Sequence, residues 1–544
     1  MNEEMKPNEA DSNDPLGNTD ELISQEIPPG VDRRKFLMRS AVIGAAAVMT
    51  GRFVSAHERT LTAVRESLPV QAPPSVPLDK NLNVVKKGQG PVMTVIDEFY
   101  KVGPGPSSSH TIGPMRITYD FYQRCTKLPA DKLAKATKLQ VNLFGSLSAT
   151  GKGHGTERAA LAGLIGKEPA TVDPLFLDSL RDKPDQTFPV KLGSSTINVS
   201  LKDVIYDATK GDFHHPNTMT VKLLAGNDVL LEQEYYSVGG GFIEWKGYTP
   251  PKKNTPKYPF RTMKELRAHA DNNKLTIAQV MLANEMSIAG RTQEEVYAFV
   301  DKIINAMTAT VKSGLSMSED DVLPGPIKLH SKAATVYKRA MDDPNVADRG
   351  VAMLSACALA ASEENARGHL VITAPTGGSA GVMPSLVYAL IEARKLELQK
   401  VRDGMLAAAA IGYLCKHHAT LSAAEGGCQA EIGVASSMAA ALVATAMGAE
   451  SRVVENAAES ALEHHLGMTC DPVAGYVQVP CVERCAFGAV KAWTAYAIAS
   501  NEIASRHRVD LDATIQALAE TAKDMNSKYK ETSEAGLALS VVLC

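Results

Sequence analysis

The feature that most limits what this chain can fold into is a break near its middle. The segment GYTPPKKNTPKYPF (247–260) carries four prolines. Each proline removes a backbone donor and fixes φ, so neither a helix nor a strand runs through it. The periodicity differs on its two sides. Before it, KLQVNLFGSL, STINVSL, TMTVKLLA and VLLEQEYYSV read as strands separated by Gly, Asn and Asp, alongside a helical stretch, which predicts an α+β unit over 91–250. After it, TIAQVMLANEMSIA, EEVYAFVDKIINAMTATV and ATIQALAETAKDMN space their apolar residues helically, which predicts a mostly α-helical unit over 262–544. GMLAAAAIGYL and SSMAAALVATAMG supply the small side chains that closely packed helices need. Gly, Glu, Lys or His interrupts both runs short of the ~20 apolar residues of a membrane span.

The first 90 residues follow neither pattern. Residues 1–30 are polar, acidic and without apolar periodicity, and are expected to be disordered. Asp32-Arg33-Arg34-Lys35-Phe36-Leu37 then precedes AVIGAAAVMTG and the small residues Val54-Ser55-Ala56. That order of basic pair, apolar run and cleavage site is expected of a twin-arginine export signal, so that 1–56 is a leader and the mature chain is periplasmic or otherwise exported. The alternative is a short buried helix with a basic start. LPVQAPPSVPLDKN places a proline-rich linker in 57–90. A formal charge of −4 from 57 basic and 61 acidic residues, with 5% aromatics, leaves no one-signed field for nucleic acid.

Several short segments carry chemistry. Gly105-Pro106-Ser107-Ser108-Ser109-His110-Thr111-Ile112-Gly113-Pro114 sets four hydroxyls and an imidazole between two Gly-Pro turns. It suits either a carboxylate cradle at a helix N-terminus or a plain N-cap with a spare histidine. Gly145-Ser146-Leu147-Ser148-Ala149-Thr150-Gly151-Lys152-Gly153-His154-Gly155 follows a strand but lacks the Gly-Lys-Ser/Thr ending of a nucleotide loop, so it is expected to be a polar loop feeding a site. His214 and His215 are adjacent rather than i, i+4, which favours a turn over metal ligation. Gly239-Gly240-Gly241 reads as a strand end, or as a phosphate cup. Thr376-Gly377-Gly378 in TAPTGGSAG is either an anion-receiving turn before a helix or a tight turn between helices.

Eight cysteines stand at 125, 357, 415, 428, 470, 481, 485 and 544. A chain this long needs no disulfide staples. Cys428, Cys470 and Cys481 each lie beside Gly or Pro, in EGGCQAE, MTCDP and QVPC, where backbone and thiolate can approach a bulky group. No C-x-x-C marks them, and zinc, disulfides and buried thiols remain open beside an iron–sulfur cluster.

Taken together these segments carry a likeness. From about residue 91 to the last, the chain resembles the bacterial iron–sulfur L-serine dehydratases in their single-chain form. The likeness rests on GPSSSHTIGPM, GSLSATGKGHGT, YYSVGGGFI, EENARG, TAPTGGSAGVMPS, the separations of the three cysteines, and VPCVERCAFGAVKA. It implies an α+β N-terminal domain followed by a mostly α-helical catalytic domain that carries the cluster, converting L-serine to pyruvate and ammonia. It further implies a four-iron, four-sulfur (4Fe-4S) cluster on Cys428, Cys470 and Cys481. Cys544 would occupy the open iron until substrate displaces it, and the chain would form a homo-oligomer. On this reading His110 is the expected base for the α-proton. Ser107, Ser108, Ser109, Thr111, Lys152, His154, Thr376, Gly377 and Gly378 are expected to hold the substrate. The chain departs from the pattern at Gly155, where a second histidine is usual, and at Cys485, where Asn is common. A leader is also unusual for an ordinarily cytoplasmic family. The rival readings are a pyridoxal-phosphate lyase using Lys332 and the Gly239–Gly241 cup, and an exported serine-binding protein without turnover.

Overall fold

The structure is a computed structural model that describes residues 90–541, apart from 150, 208, 210–212, 250–251, 343–344 and 533–534. The expected leader, nearly all of the linker, and Cys544 lie outside the described residues. In chain order the strands are β1 (Lys101–Pro104), β2 (Lys138–Leu143), β3 (Phe188–Leu192), β4 (Ser195–Val199), β5 (Val204–Tyr206), β6 (Thr218–Ala225), β7 (Asp228–Ser237), β8 (Ile243–Trp245) and β9 (Leu370–Thr373).

The predicted α+β unit forms as expected. Its five-stranded sheet runs β5-β2-β6-β7-β8, with β2 and β5 parallel and the other pairs antiparallel. Alternation in sequence becomes alternation in space, because successive side chains of a strand point to opposite faces. Leu139, Val141 and Leu143 of β2 meet Met219, Val221 and Leu223 of β6 in the core, while Gln140 and Asn142 face outward and bond each other. Helices Gly113–Cys125 and Thr156–Leu164 bury Met115, Ile117, Phe121, Ala159 and Leu161 in that same core.

Beyond the proline-rich break, helices dominate. Those at Ile277–Ala289 and Gln293–Leu315 open on reciprocal capping boxes, Thr276 with Gln279 and Thr292 with Glu295, which satisfy N-terminal donors the helix itself leaves unpaired. The alanine-rich runs form the centre of the bundle, in helices Leu398–His418 and Ile432–Ala446. Cys428–Ala446 is apolar and long enough to cross a membrane, but 94% of that window is buried inside the protein, where it serves as a core helix. Close packing sets the choice of small residues. A Cβ on Gly412 would lie 2.2 Å from the Phe99 ring.

Two devices tie the halves together. Val92, Ile96, Phe99 and Tyr100 precede the α+β sheet in sequence yet pack into the helical core, and Glu285 of the bundle accepts the Ile96 N–H at 3.0 Å and the Tyr413 hydroxyl at 2.9 Å. The strands β1 and β9 pair antiparallel, Lys101 opposite Thr373 and Pro104 opposite Leu370. That pair stands immediately before both the Ser-Ser-Ser-His loop and the Thr-Gly-Gly turn.

Candidate active site

Leaving β1, the chain turns through Gly105-Pro106 and winds Ser108–Ile112 as a wide helical turn that runs into helix Gly113–Cys125. Ser107 is the N-cap, its hydroxyl accepting the His110 N–H at 3.1 Å. The cap reading of the motif is therefore correct, and it is not the whole account, because His110 is completely buried rather than spare. Its Nδ1 lies 2.9 Å from Ser109 Oγ and its Nε2 3.1 Å from Ser146 Oγ. Thr111 donates to the His154 carbonyl at 2.8 Å, and Ser237 to the Ser109 carbonyl at 2.7 Å. Ser107, Ser108 and Ser109 are buried with it.

The loop after β2 brings a second imidazole. His154 is fully buried with its ring centroid 5.0 Å from that of His110, and neither of its nitrogens has a hydrogen-bond partner among the described residues. Lys152, two residues earlier, is exposed on the same turn. Burial pushes His110 down to about 4, and burial followed by the neighbouring His110 holds His154 well below the usual histidine value. Both rings are neutral at pH 7, each with a lone pair.

The Thr376-Gly377-Gly378 turn packs directly on the serine loop. A Cβ on Gly377 would stand 2.9 Å from the Ser108 nitrogen, and only glycine permits that approach. Asn365 locks the contact from the helical side by donating to the Pro106 carbonyl at 2.9 Å. On the far side of the turn, a Cβ on Gly378 would meet Glu431 Oε2 at 2.6 Å.

Three separate loops deliver the cysteines. Cys428 follows Gly427, whose φ is +73°; Cys470 sits in the loop after helix Ser451–Glu463; Cys481 begins helix Cys481–Ala499. All three are buried. Donor atoms of Cys428, Glu431 and Cys470 lie within 4.8 Å of one another. The Cys470 thiol is raised well above the usual value by its hydrogen bond to Cys428 and by burial, and Cys481 by burial and then by Cys428. Arg484 reaches the same place, donating to the Thr469 carbonyl at 2.6 Å and to Cys428. Facing thiols buried together are costly as anions and poorly satisfied as thiols, so the donor set fits a multi-iron cation.

Glu431 and Glu531 were not among the residues the sequence singled out. Burial raises Glu431 to about 7, and burial with Glu431 and Cys428 beside it raises Glu531 well above the usual range. Glu531 Oε1 lies 3.8 Å from both His110 Nδ1 and His154 Nε2. Cys485 faces the turn as well, its sulfur 3.3 Å from the Gly378 carbonyl, with burial pushing its thiol up to about 11. Elsewhere, Lys332 is ion-paired with Glu483, and Gly239–Gly241 close the end of β7 against Ser422, Pro375 and Ile112.

With that geometry in place, similarity to known proteins is informative. A family model described as serine dehydratase beta chain matches residues 95–248, and one described as serine dehydratase alpha chain matches residues 272–538. The chain belongs to the serine dehydratase family. It is 39% identical over 461 residues to an L-serine dehydratase of Haemophilus influenzae, covering 83% of this chain and all of that protein. It is 40% identical over 458 residues to one of Escherichia coli (82% of this chain, 98% of the relative) and 39% over 456 residues to one of Streptomyces coelicolor (82% and 99%). As expected of a serine dehydratase, the α+β part comes first and the helical part carries the thiol cluster.

Proposed function

We propose that this protein is an L-serine dehydratase that eliminates water from L-serine and releases pyruvate and ammonia. The observation that carries the reading is convergence. The serine–histidine loop, the Thr-Gly-Gly turn and the cysteine loops, up to 374 positions apart in sequence, meet at one buried place. Cys428, Cys470 and Cys481 would hold the 4Fe-4S cluster, which when bound would supply a Lewis-acidic iron for the serine hydroxyl.

The protein's own residues account for the rest. The hydroxyls of Ser107 and Ser109 and the amides of the Thr376–Gly378 turn form the receptor for the substrate carboxylate, at the start of a helix whose dipole favours an anion, while the Thr111 hydroxyl, donated to the His154 carbonyl, fixes the two histidine loops to each other. Proton removal from Cα needs an imidazole with an open lone pair. His110 is engaged by hydroxyls on both nitrogens, whereas neither nitrogen of His154 is hydrogen-bonded among the described residues. We therefore assign abstraction to His154, with His110, the residue singled out in sequence, held beside it by Ser109 and Ser146. Closure around these groups excludes water until the aminoacrylate leaves to hydrolyse.

Anaerobic purification followed by a pyruvate assay with L-serine and an iron and sulfide count tests the whole reading. Turnover with four irons per chain is the expected result, and a colourless, iron-free protein without turnover would end it. Cys544 is proposed as the displaceable fourth thiolate. Leu537, seven positions earlier, is anchored by its N–H to Asp471 beside Cys470, and seven residues reach about 23 Å when extended. Residues 32–56 are proposed as a twin-arginine signal on the strength of their residue order. Replacing Arg33 and Arg34 with lysine should trap the protein in the cytoplasm on cell fractionation, and continued export would refute the assignment.

A further inference from the structure

If L-serine is the substrate, two of the three groups on its Cα have receptors in the site. The carboxylate has the hydroxyls and amides of the serine loop and Thr-Gly-Gly turn, and the hydroxymethyl group has the thiol cluster. The ammonium has none among the residues considered so far, and an ammonium taken out of water needs an acceptor, preferably an anionic one. Glu431 is engaged by the Thr376 hydroxyl and stands among the thiols. Glu531 is different. It is buried, the Ala424 N–H bonds its carboxyl, its Oε1 faces both imidazoles at 3.8 Å, and its Oε2 has no hydrogen-bond partner among the described residues.

The backbone is arranged around this placement. Glu531 stands at φ +55°, the left-handed region that non-glycine residues occupy only when their surroundings compel it. The compulsion is visible: its N–H donates to the Cys470 carbonyl at 2.9 Å, and Cys470 in turn donates to the Tyr529 carbonyl at 2.7 Å. The C-terminal segment is thus stitched to a cysteine loop, and the strained residue within it turns its carboxylate inward.

We propose that Glu531 is the receptor for the substrate α-ammonium, so that the C-terminal segment supplies the third attachment point and with it selectivity for amino acids over hydroxy acids. This assignment rests on the serine dehydratase reading. An ammonium seated between Glu531 and the imidazoles sets the adjacent Cα–H beside His154, which is the geometry abstraction requires.

The test compares L-serine with L-glycerate, which keeps the carboxylate and the hydroxymethyl group and has a hydroxyl in place of the ammonium. In anaerobically purified holoenzyme, Glu531→Gln should leave the visible absorbance of the cluster intact. It should raise KM for L-serine on the order of 10-fold to 10²-fold, the usual scale of one buried hydrogen bond to a charged group. Competitive inhibition by L-glycerate should stay unchanged, and Glu531→Asp should recover part of the serine affinity. Equal weakening of both ligands, an unchanged KM, or a fall in kcat alone would overturn the assignment, the last by placing Glu531 behind the imidazoles. Absence of pyruvate with the wild-type protein would instead count against the dehydratase reading itself.

Discussion

His110 and His154 carry the same side chain 5.0 Å apart, and their hydrogen bonding differs. A base held on both nitrogens must first surrender a partner, and one with open nitrogens need not. Replacing His154 with Ala should therefore lower kcat by about 10²–10⁴, the usual contribution of a positioned general base, with cluster absorbance unchanged. Replacing His110 with Ala should cost less in the same assay, and the reverse order would return the base to His110. The histidines were legible in sequence because each sits in a dense local motif, Ser-Ser-Ser-His or Gly-Lys-Gly-His. Glu431 and Glu531 were not, since nothing in Gln-Ala-Glu or Lys-Glu-Thr separates a carboxylate buried against thiols from the many on the surface. Only the tertiary placement of Glu531 beside Cys470 and the imidazoles makes it exceptional.

Elements were legible where one segment suffices to define them. The alternation in β2 and β6 and the helical spacing of 294–311 fix their own periods. The β1–β9 pair was not, because neither four-residue strand signals a partner some 270 positions away. The short helix Ile96–Phe99 likewise depends on a distant residue, Glu285, which caps it. Burial lifts Glu285 to about 7 from an ordinary value of 4.5. Its folded-state value lies above its unfolded one, so folding takes up a proton here. The associated stabilisation is complete below about pH 4.5 and is lost as pH rises through about 7. Glu285→Gln keeps both an acceptor and the shape, and thermal melts of that variant should show a flatter loss of Tm between these pH values than wild type. An identical pH profile would mean that Glu285 does not titrate in the folded protein. Packing at the same helix gives a simpler test. Gly412→Ala drives a methyl into the Phe99 ring and should destabilise by about 1–3 kcal/mol in denaturant unfolding.

At the scale of the molecule, the bundle and the sheet have extensive cores of their own, whereas the C-terminal segment from Ser527 onward depends on the cysteine loop. Its attachments converge there: Cys470 to Tyr529 and Glu531 through the backbone, and Asp471 to the Leu537 N–H at 2.7 Å, with Arg484 joining Asp471 to Cys428. Its large apolar side chains are only partly covered, Leu537 at 38% and Leu539 at 60% exposed, so apolar burial holds it less firmly than the cores of the bundle and the sheet. On the proposed ligation by Cys428, Cys470 and Cys481, a bound cluster would clamp three loops at once, and losing it would release the loop to which the segment is tied. Iron removal is therefore expected to act locally. In hydrogen exchange, the amides of Glu531 and Leu537 should lose protection in the iron-free protein, while helices Leu398–His418 and Ile432–Ala446 keep theirs, since segments with few buried contacts open independently of the core. Uniform loss of protection across the bundle would show instead that the cluster holds the whole helical domain together. Protection unchanged at Glu531 would show that the backbone bonds to Cys470 hold the segment without it.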